Sequence, residues 1–164
     1  MNGLSRRNWI LMAVGLPILV AAWWAFRPEK LWINQRVNEP APFASSADRQ
    51  PLYTGLLEGN AHPTGGRATI YETSNGKRYL RLTDFMTAKG PDLHVVLARG
   101  DDKGIHQEIV KGDLDRVDLG RLADNLGDQD FDLPASVDLQ KYDAVVIYSE
   151  PLQTVFGVAR IEQF

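Results

Sequence analysis

The side chains able to do chemistry are few and widely spaced along the 164 residues. Ser149 is a potential nucleophile, but a serine attacks only beside a base that a third group orients. His94 falls on an expected strand, Glu150 follows Ser149 on the opposite face, and no Gly-x-Ser-x-Gly elbow is present. Ser149 therefore reads as a hydrogen-bonded serine at a strand end. His62, His94 and His106 include no pair at close metal-ligand spacing, so only the fold could assemble a site from them. His94 alternates with Leu93, Val95 and Leu97, which turns it outward or toward a groove. His62 sits in a glycine-rich stretch, where a loop-structuring hydrogen bond explains it. Met86 with a histidine could bind a haem axially, but no further signal supports that pair.

Asp128, Asp130 and Asp132 share one face of an extended segment, with Asp124 and Asn125 just before, and oxygen-rich clusters suit Ca²⁺. The mid-loop glycine and closing glutamate of a calcium loop are missing, and Leu133 and Pro134 follow instead. Like charges on one strand face more simply protect an exposed edge. Lys77, Arg78 and Arg81 are expected at a small basic hairpin tip. Acids outnumber bases between Asp101 and Asp138, which reads as a solvated face. The net charge of -3 leaves no basic footprint for nucleic acid or anionic lipid. Absence of cysteine excludes disulfides, thiol nucleophiles, thiolate metal sites, iron–sulfur clusters and covalently attached c-type haem. No cofactor is expected, with a haem or other redox group held by other ligands left open.

The elements that must position these residues are short strands. From Leu52 onward, apolar-alternating runs are separated by turn signals, at Tyr53–Glu58, Gly66–Glu72, Arg78–Asp84, Leu93–Arg99 and Ile105–Lys111. They continue at Val117–Leu122, Phe131–Leu133, Ala144–Ser149 and Thr154–Ile161. Asn75-Gly76 is a strong hairpin turn, and Asp138–Tyr142 suits one helical turn. Ala144–Tyr148, continuously apolar, is the expected central strand. The pattern predicts an all-β antiparallel sandwich or barrel over 51–164.

Ahead of it lies Trp9–Phe26, which carries no charge or strongly polar side chain. As a helix it spans roughly 27 Å, close to the ~30 Å of bilayer hydrocarbon. Trp9 at one end and Trp23 and Trp24 at the other suit the interfacial belts. Arg6 and Arg7 precede it, and bulky rings stand where a signal cleavage site needs small residues. We read 1–8 as a cytoplasmic tail, 9–26 as an uncleaved transmembrane signal-anchor and 27–50 as a flexible linker with Pro28, Pro40 and Pro42. The expected setting is a bacterial cytoplasmic membrane, single-pass, with the C-terminal domain outside the cytoplasm.

Several blocks resemble a known family. They are Gly55…His62…Gly65–Ile70, Leu80–Phe85, Gly90-Pro91-Asp92-Leu93-His94-Val95, Val117–Leu122, Gly127-Asp128-Gln129 with Leu133-Pro134-Ala135, Tyr142–Tyr148 and Val155–Ala159. In order and spacing, over roughly 53–162, they resemble the electron-transfer DM-thirteen domain of membrane-anchored and cell-surface proteins. The resemblance implies a β-rich extracytoplasmic fold. It also points to His62, Gly90, Asp92, Tyr148 and Ser149 as candidate binding positions. The family's electron transfer is ascribed to one nearly invariant cysteine after its "VVIW" strand, acting as a thiol or as a ligand to a prosthetic group. Here the strand reads Val145-Val146-Ile147-Tyr148-Ser149, with serine at the cysteine position. A hydroxyl cannot cycle between thiol and disulfide and is a poor haem ligand. The expectation is a non-catalytic binding or interaction module for a protein or cell-envelope partner; the rival is electron transfer through a bound cofactor.

Overall fold

The computed structural model describes residues 48–59, 62–100, 105 and 115–164. The expected span at 9–26, the linker through residue 47, and His106 lie outside the described residues. The chain divides into two units, Met1–Asn34 and Gln35–Phe164, and every described residue belongs to the second. Among the described residues no helix is long and apolar enough to cross a membrane.

The strands are β1 (Arg49–Gly59), β2 (Thr64–Thr73), β3 (Arg78–Thr87), β4 (Leu93–Ala98) and β5 (Arg116–Arg121). After them come β6 (Gln129–Leu133), β7 (Ala144–Ser149), β8 (Thr154–Arg160) and β9 (Glu162–Gln163). All pair antiparallel in the order β5-β4-β7-β8-β1-β2-β3-β6, with β9 against β1. The two end strands, β5 and β6, approach each other, so the sheet curls into a nearly closed barrel. Of the two expected architectures, the barrel is the one formed.

β1 is the hub. Arg49–Leu56 pairs with β2, and Leu57–Gly59 pairs with β8. Its register against β2 slips between Pro51 and Tyr53. Proline has no amide hydrogen for a ladder, so such an irregularity is where a strand can carry it.

Alternation decides what is buried. Val145 and Ile147 of β7 join Val95 and Leu97 of β4, Leu80 and Leu82 of β3, and Phe156 in the barrel interior. Ala144, Val146 and Tyr148 face the other way, into a second cluster with Val96, Ala98 and Val155. β7 is therefore buried on both faces, the central strand that its apolar run predicts. Each such Val or Ile contributes on the order of 1.5–3 kcal/mol by leaving water.

Ile105 corrects one expectation. It is helical and fully buried in that outer cluster, where a strand over 105–111 was expected. Apolar residues every few positions serve a helix lying on a sheet as well as a strand within it. The remainder of that segment lies outside the described residues.

The Asn75-Gly76 turn forms as expected: Gly76 takes φ +78°, and Asn75 Oδ1 accepts from Lys77 N at 3.2 Å. A 3₁₀ turn spans Leu139–Lys141, capped by Asp138, whose side chain accepts from Gln140 N.

Candidate functional site

Ser149 closes β7, opposite Leu93 of β4 and Thr154 of β8. Its side chain is fully buried, and Oγ donates to the Pro91 carbonyl at 2.6 Å. The β7 end is thereby pinned to the turn between β3 and β4, which carries Gly90-Pro91-Asp92. Asp92 adopts φ +49°, a left-handed conformation that Asp tolerates better than most residues.

Gly90 is required by its neighbour. A Cβ there would stand 2.6 Å from Phe156 Cζ. Phe156 sits at an irregularity, because Ile147 pairs with Gly157 while Tyr148 pairs with Val155. Its buried ring meets Gly90 and stacks on His62, with centroids 4.2 Å apart and planes at 23°. Thr64 Oγ1 donates to the Phe156 carbonyl at 2.9 Å and lies 2.7 Å from Thr87 Oγ1. A Cβ on Gly157 would strike Thr64 Cγ2 at 2.6 Å. His62, Gly90 and Ser149 thus come together around Phe156 and Pro91. Tyr148 does not join them. Consecutive strand residues point to opposite faces, so its ring lies in the outer cluster with the Arg116 guanidinium 5.5 Å from its centroid.

On the same side as Asp92 a chain of charges runs across β4 and β5. Asp118 Oδ2 lies 2.9 Å from His94 Nδ1, and His94 Nε2 lies 3.5 Å from Asp92 Oδ1. Asp92 Oδ1 also meets Arg121 Nε at 3.3 Å. His94 is thus engaged with carboxylates, on the opposite face from Ser149, so these two do not form a nucleophile–base pair.

Beside these groups opens a cleft of about 250 Å³. Lys89, Gly90 and Asp92 line one side; Arg121, Asp124 and Asn125 line the other. Asn125 is 8% exposed and firmly held, with Nδ2 donating to the Thr87 carbonyl at 3.0 Å. Its Oδ1 meets no donor among the described residues. Flipping the amide would set that oxygen against the Thr87 carbonyl, so the orientation stands. Gln129 braces the same loop, accepting from Ala123 N and donating to the Asp124 carbonyl. Arg121 and Phe156 were not picked out as site residues from the sequence, and Asn125 stood out only as a neighbour of the aspartate trio. The signal for Arg121 and Asn125 was slight: a lone basic residue at a strand end and an Asn beside Leu126-Gly127-Asp128.

The aspartate trio is arranged otherwise than a calcium loop. Arg81 Nη1 contacts Asp130 Oδ2 at 2.7 Å and Nη2 contacts Asp128 Oδ2 at 3.0 Å. Asp128 Oδ1 also accepts from Asp84 N at 2.9 Å, and Asp132 is exposed opposite Tyr79. A guanidinium already occupies the place between two of the carboxylates. Among the described residues no three His, Asp or Glu side chains are grouped to hold a metal ion. Arg81 is therefore buried in an ion-pair triad and does not sit at an exposed basic tip. Arg78 is also engaged, with Glu72 and the Val137 carbonyl.

A family model described as electron transfer DM13 matches residues 56–161. No curated protein and no solved structure matches the chain.

Proposed function

We propose, from the premise that this chain belongs to the electron transfer DM13 family, that its β domain is a binding module that catalyses no reaction. The helix at 9–26 and the linker at 27–50 hold it outside the cytoplasm, in a bacterial envelope.

The observation that carries this reading is Ser149. Electron transfer at that position needs a group that changes oxidation state, and sulfur has such a ladder where a serine hydroxyl has none. The hydroxyl is buried and engaged with Pro91, and the interior beside it is filled by Leu93, Ile147 and Phe156. These residues do not fit a haem or other prosthetic group. His62 lies flat on Phe156, and Met86 is exposed at the end of β3. What the same blocks do build is a small, polar, solvent-facing cleft without a nucleophile.

The test is an absorption spectrum of the full-length protein in detergent, before and after dithionite. A colourless protein with no response is expected; a visible band that shifts on reduction overturns the reading. That band would support the second reading, electron transfer through a bound group, which the family match favours. Protease added to intact cells checks the placement: the head is expected to be digested.

A further inference from the structure

We infer that residues 35–47 of this chain form a strap across the outer face of β2, β3 and β6, with Phe43 against the Tyr71–Tyr79 stack and Arg36 toward Asp128, Asp130 and Asp132. The inference goes beyond the binding-module reading and does not depend on it. It takes these residues out of the linker and makes them part of the domain.

That face is closed where an open one is expected. Ala68, Ile70, Leu80 and Leu82 point into the barrel, so Thr69, Tyr79 and Arg81 point out of it. Those three are nonetheless only 4%, 3% and 8% exposed. All nine strands lie in one sheet, so none of them forms a layer above this face. Neighbours within the sheet do not suffice either. Arg67 of β2, Leu56 of β1 and Asp132 of β6 point the same way and are exposed. Arg49 covers one corner, its guanidinium 4.8 Å from the Tyr71 ring centroid and its Nη1 donating to Tyr79 Oη at 3.4 Å.

The chain itself supplies a cover. The compact unit that holds the barrel begins at Gln35, ahead of β1. Tyr79, Arg81, Asp128 and Asp130, all on this face, each have a partner besides those already named. The chain also enters beside the face, because the Asp48 carbonyl accepts from Ser74 N at 3.1 Å, at the tip of the β2–β3 hairpin. At ~3.3 Å per residue, 35–47 reaches about 43 Å when extended, whereas the face from Thr73 to Arg67 is about 20 Å long.

Composition agrees. The β6 side sets Asp128, Asp130 and Asp132 against Arg81, and Arg36 brings a second cation to it. Pro40 and Pro42 lack amide hydrogens, which suits a segment lying over a face and not one pairing at a sheet edge. The connection that follows β4 serves elsewhere, since its Ile105 is buried over β4 and β7.

The experiment puts a nitroxide on Ala44→Cys in the full-length protein in detergent micelles, a unique site because the chain has no cysteine. Proton NMR is expected to show broadening at Thr69, Tyr79 and Arg81, and none at Val96 and Val146 in the cluster outside β4 and β7. A second label, on Ser46→Cys, repeats the measurement in case the first disturbs the contact. Equal broadening at both places, or none at either from both labels, overturns the inference. So does broadening that arises only from a nitroxide on a second copy of the chain, which would make another molecule the occupant. Phe43→Ala and Arg36→Gln are each expected to lower Tm by about 3–5 °C, and Arg27→Gln, ahead of the strap, to leave it unchanged. An unchanged Tm in the first two, or an equal fall in all three, also overturns it.

Discussion

Replacing Ser149 by alanine tests whether the family's sulfur position has become a structural pin. The substitution deletes one buried donor and leaves the Pro91 carbonyl without its 2.6 Å partner. A typical intramolecular hydrogen bond contributes about 0.5–1.5 kcal/mol net, and a closed-off unpaired acceptor costs about 1–3 kcal/mol. Pro91 is itself exposed, so water reaches part of the turn and the cost lies toward the low end of the second figure. The expected loss is roughly 1–2 kcal/mol, or a fall in Tm of about 5–10 °C for a domain near 100 residues. Ser149→Cys is the sharper variant. A thiol is a weak donor with a larger atom, and a fully buried position beside a carbonyl has no slack for it. It is expected to destabilise at least as much as alanine. Far-UV circular dichroism is the readout, because the four tryptophans, Trp9, Trp23, Trp24 and Trp32, all precede the β domain in the sequence. An alanine variant melting within ~1 °C of the parent would refute the pin. A cysteine variant at or above parental stability would mean the site is still shaped for sulfur.

Other substitutions probe the rest of the frame. Arg81→Met strips the cation from between Asp128 and Asp130 and is expected to cost about 3–5 kcal/mol by urea titration. Adding Asp128→Asn and Asp130→Asn should recover much of that loss. Gly90→Ala drives a methyl group against Phe156 and is expected to cost roughly 1–3 kcal/mol, with loss of the His62 ring-current shift in proton NMR. Tyr142 is held above the ordinary phenol value of 10.0, first by burial and then by Asp115, whose Oδ1 accepts from its hydroxyl at 3.3 Å. A raised folded-state value means its stabilisation is complete below 10.0 and is lost as pH climbs through the folded value. Tyr142→Phe should therefore flatten the alkaline limb of the stability profile, and one phenol should ionise late in an ultraviolet titration.

Much of the fold was legible because strands declare themselves locally. Every expected strand but the one at 105–111 has its counterpart among the described residues. The Asn75-Gly76 turn and the doubly buried β7 follow from side-chain type alone. The site was not legible in the same way. Asp92 and Arg121 belong to one cleft but come from segments that only the β4–β5 pairing brings together. Arg81 looks like a tip residue beside Lys77 and Arg78, yet its partners are 47 and 49 positions away on the β6 side. Tyr148 and Ser149 are adjacent in the chain and face opposite ways, so a motif covering both names two environments. Phe156, the ring that gathers His62 and Gly90, reads as an ordinary core residue until the β7–β8 irregularity is seen.

The hub position of β1 also governs how this domain is made. Leu57 must find Ala159, about 100 residues later in the chain. At roughly 5–20 residues per second, a ribosome takes about 5–20 s to supply that partner. During that interval β1, β2, β3 and β6 can pair only as an open sheet, whose apolar face still lacks the β7–β8 side of the barrel. A chain delivered through a secretion channel as it is synthesised would therefore close its barrel only after most of it had passed, on the far side.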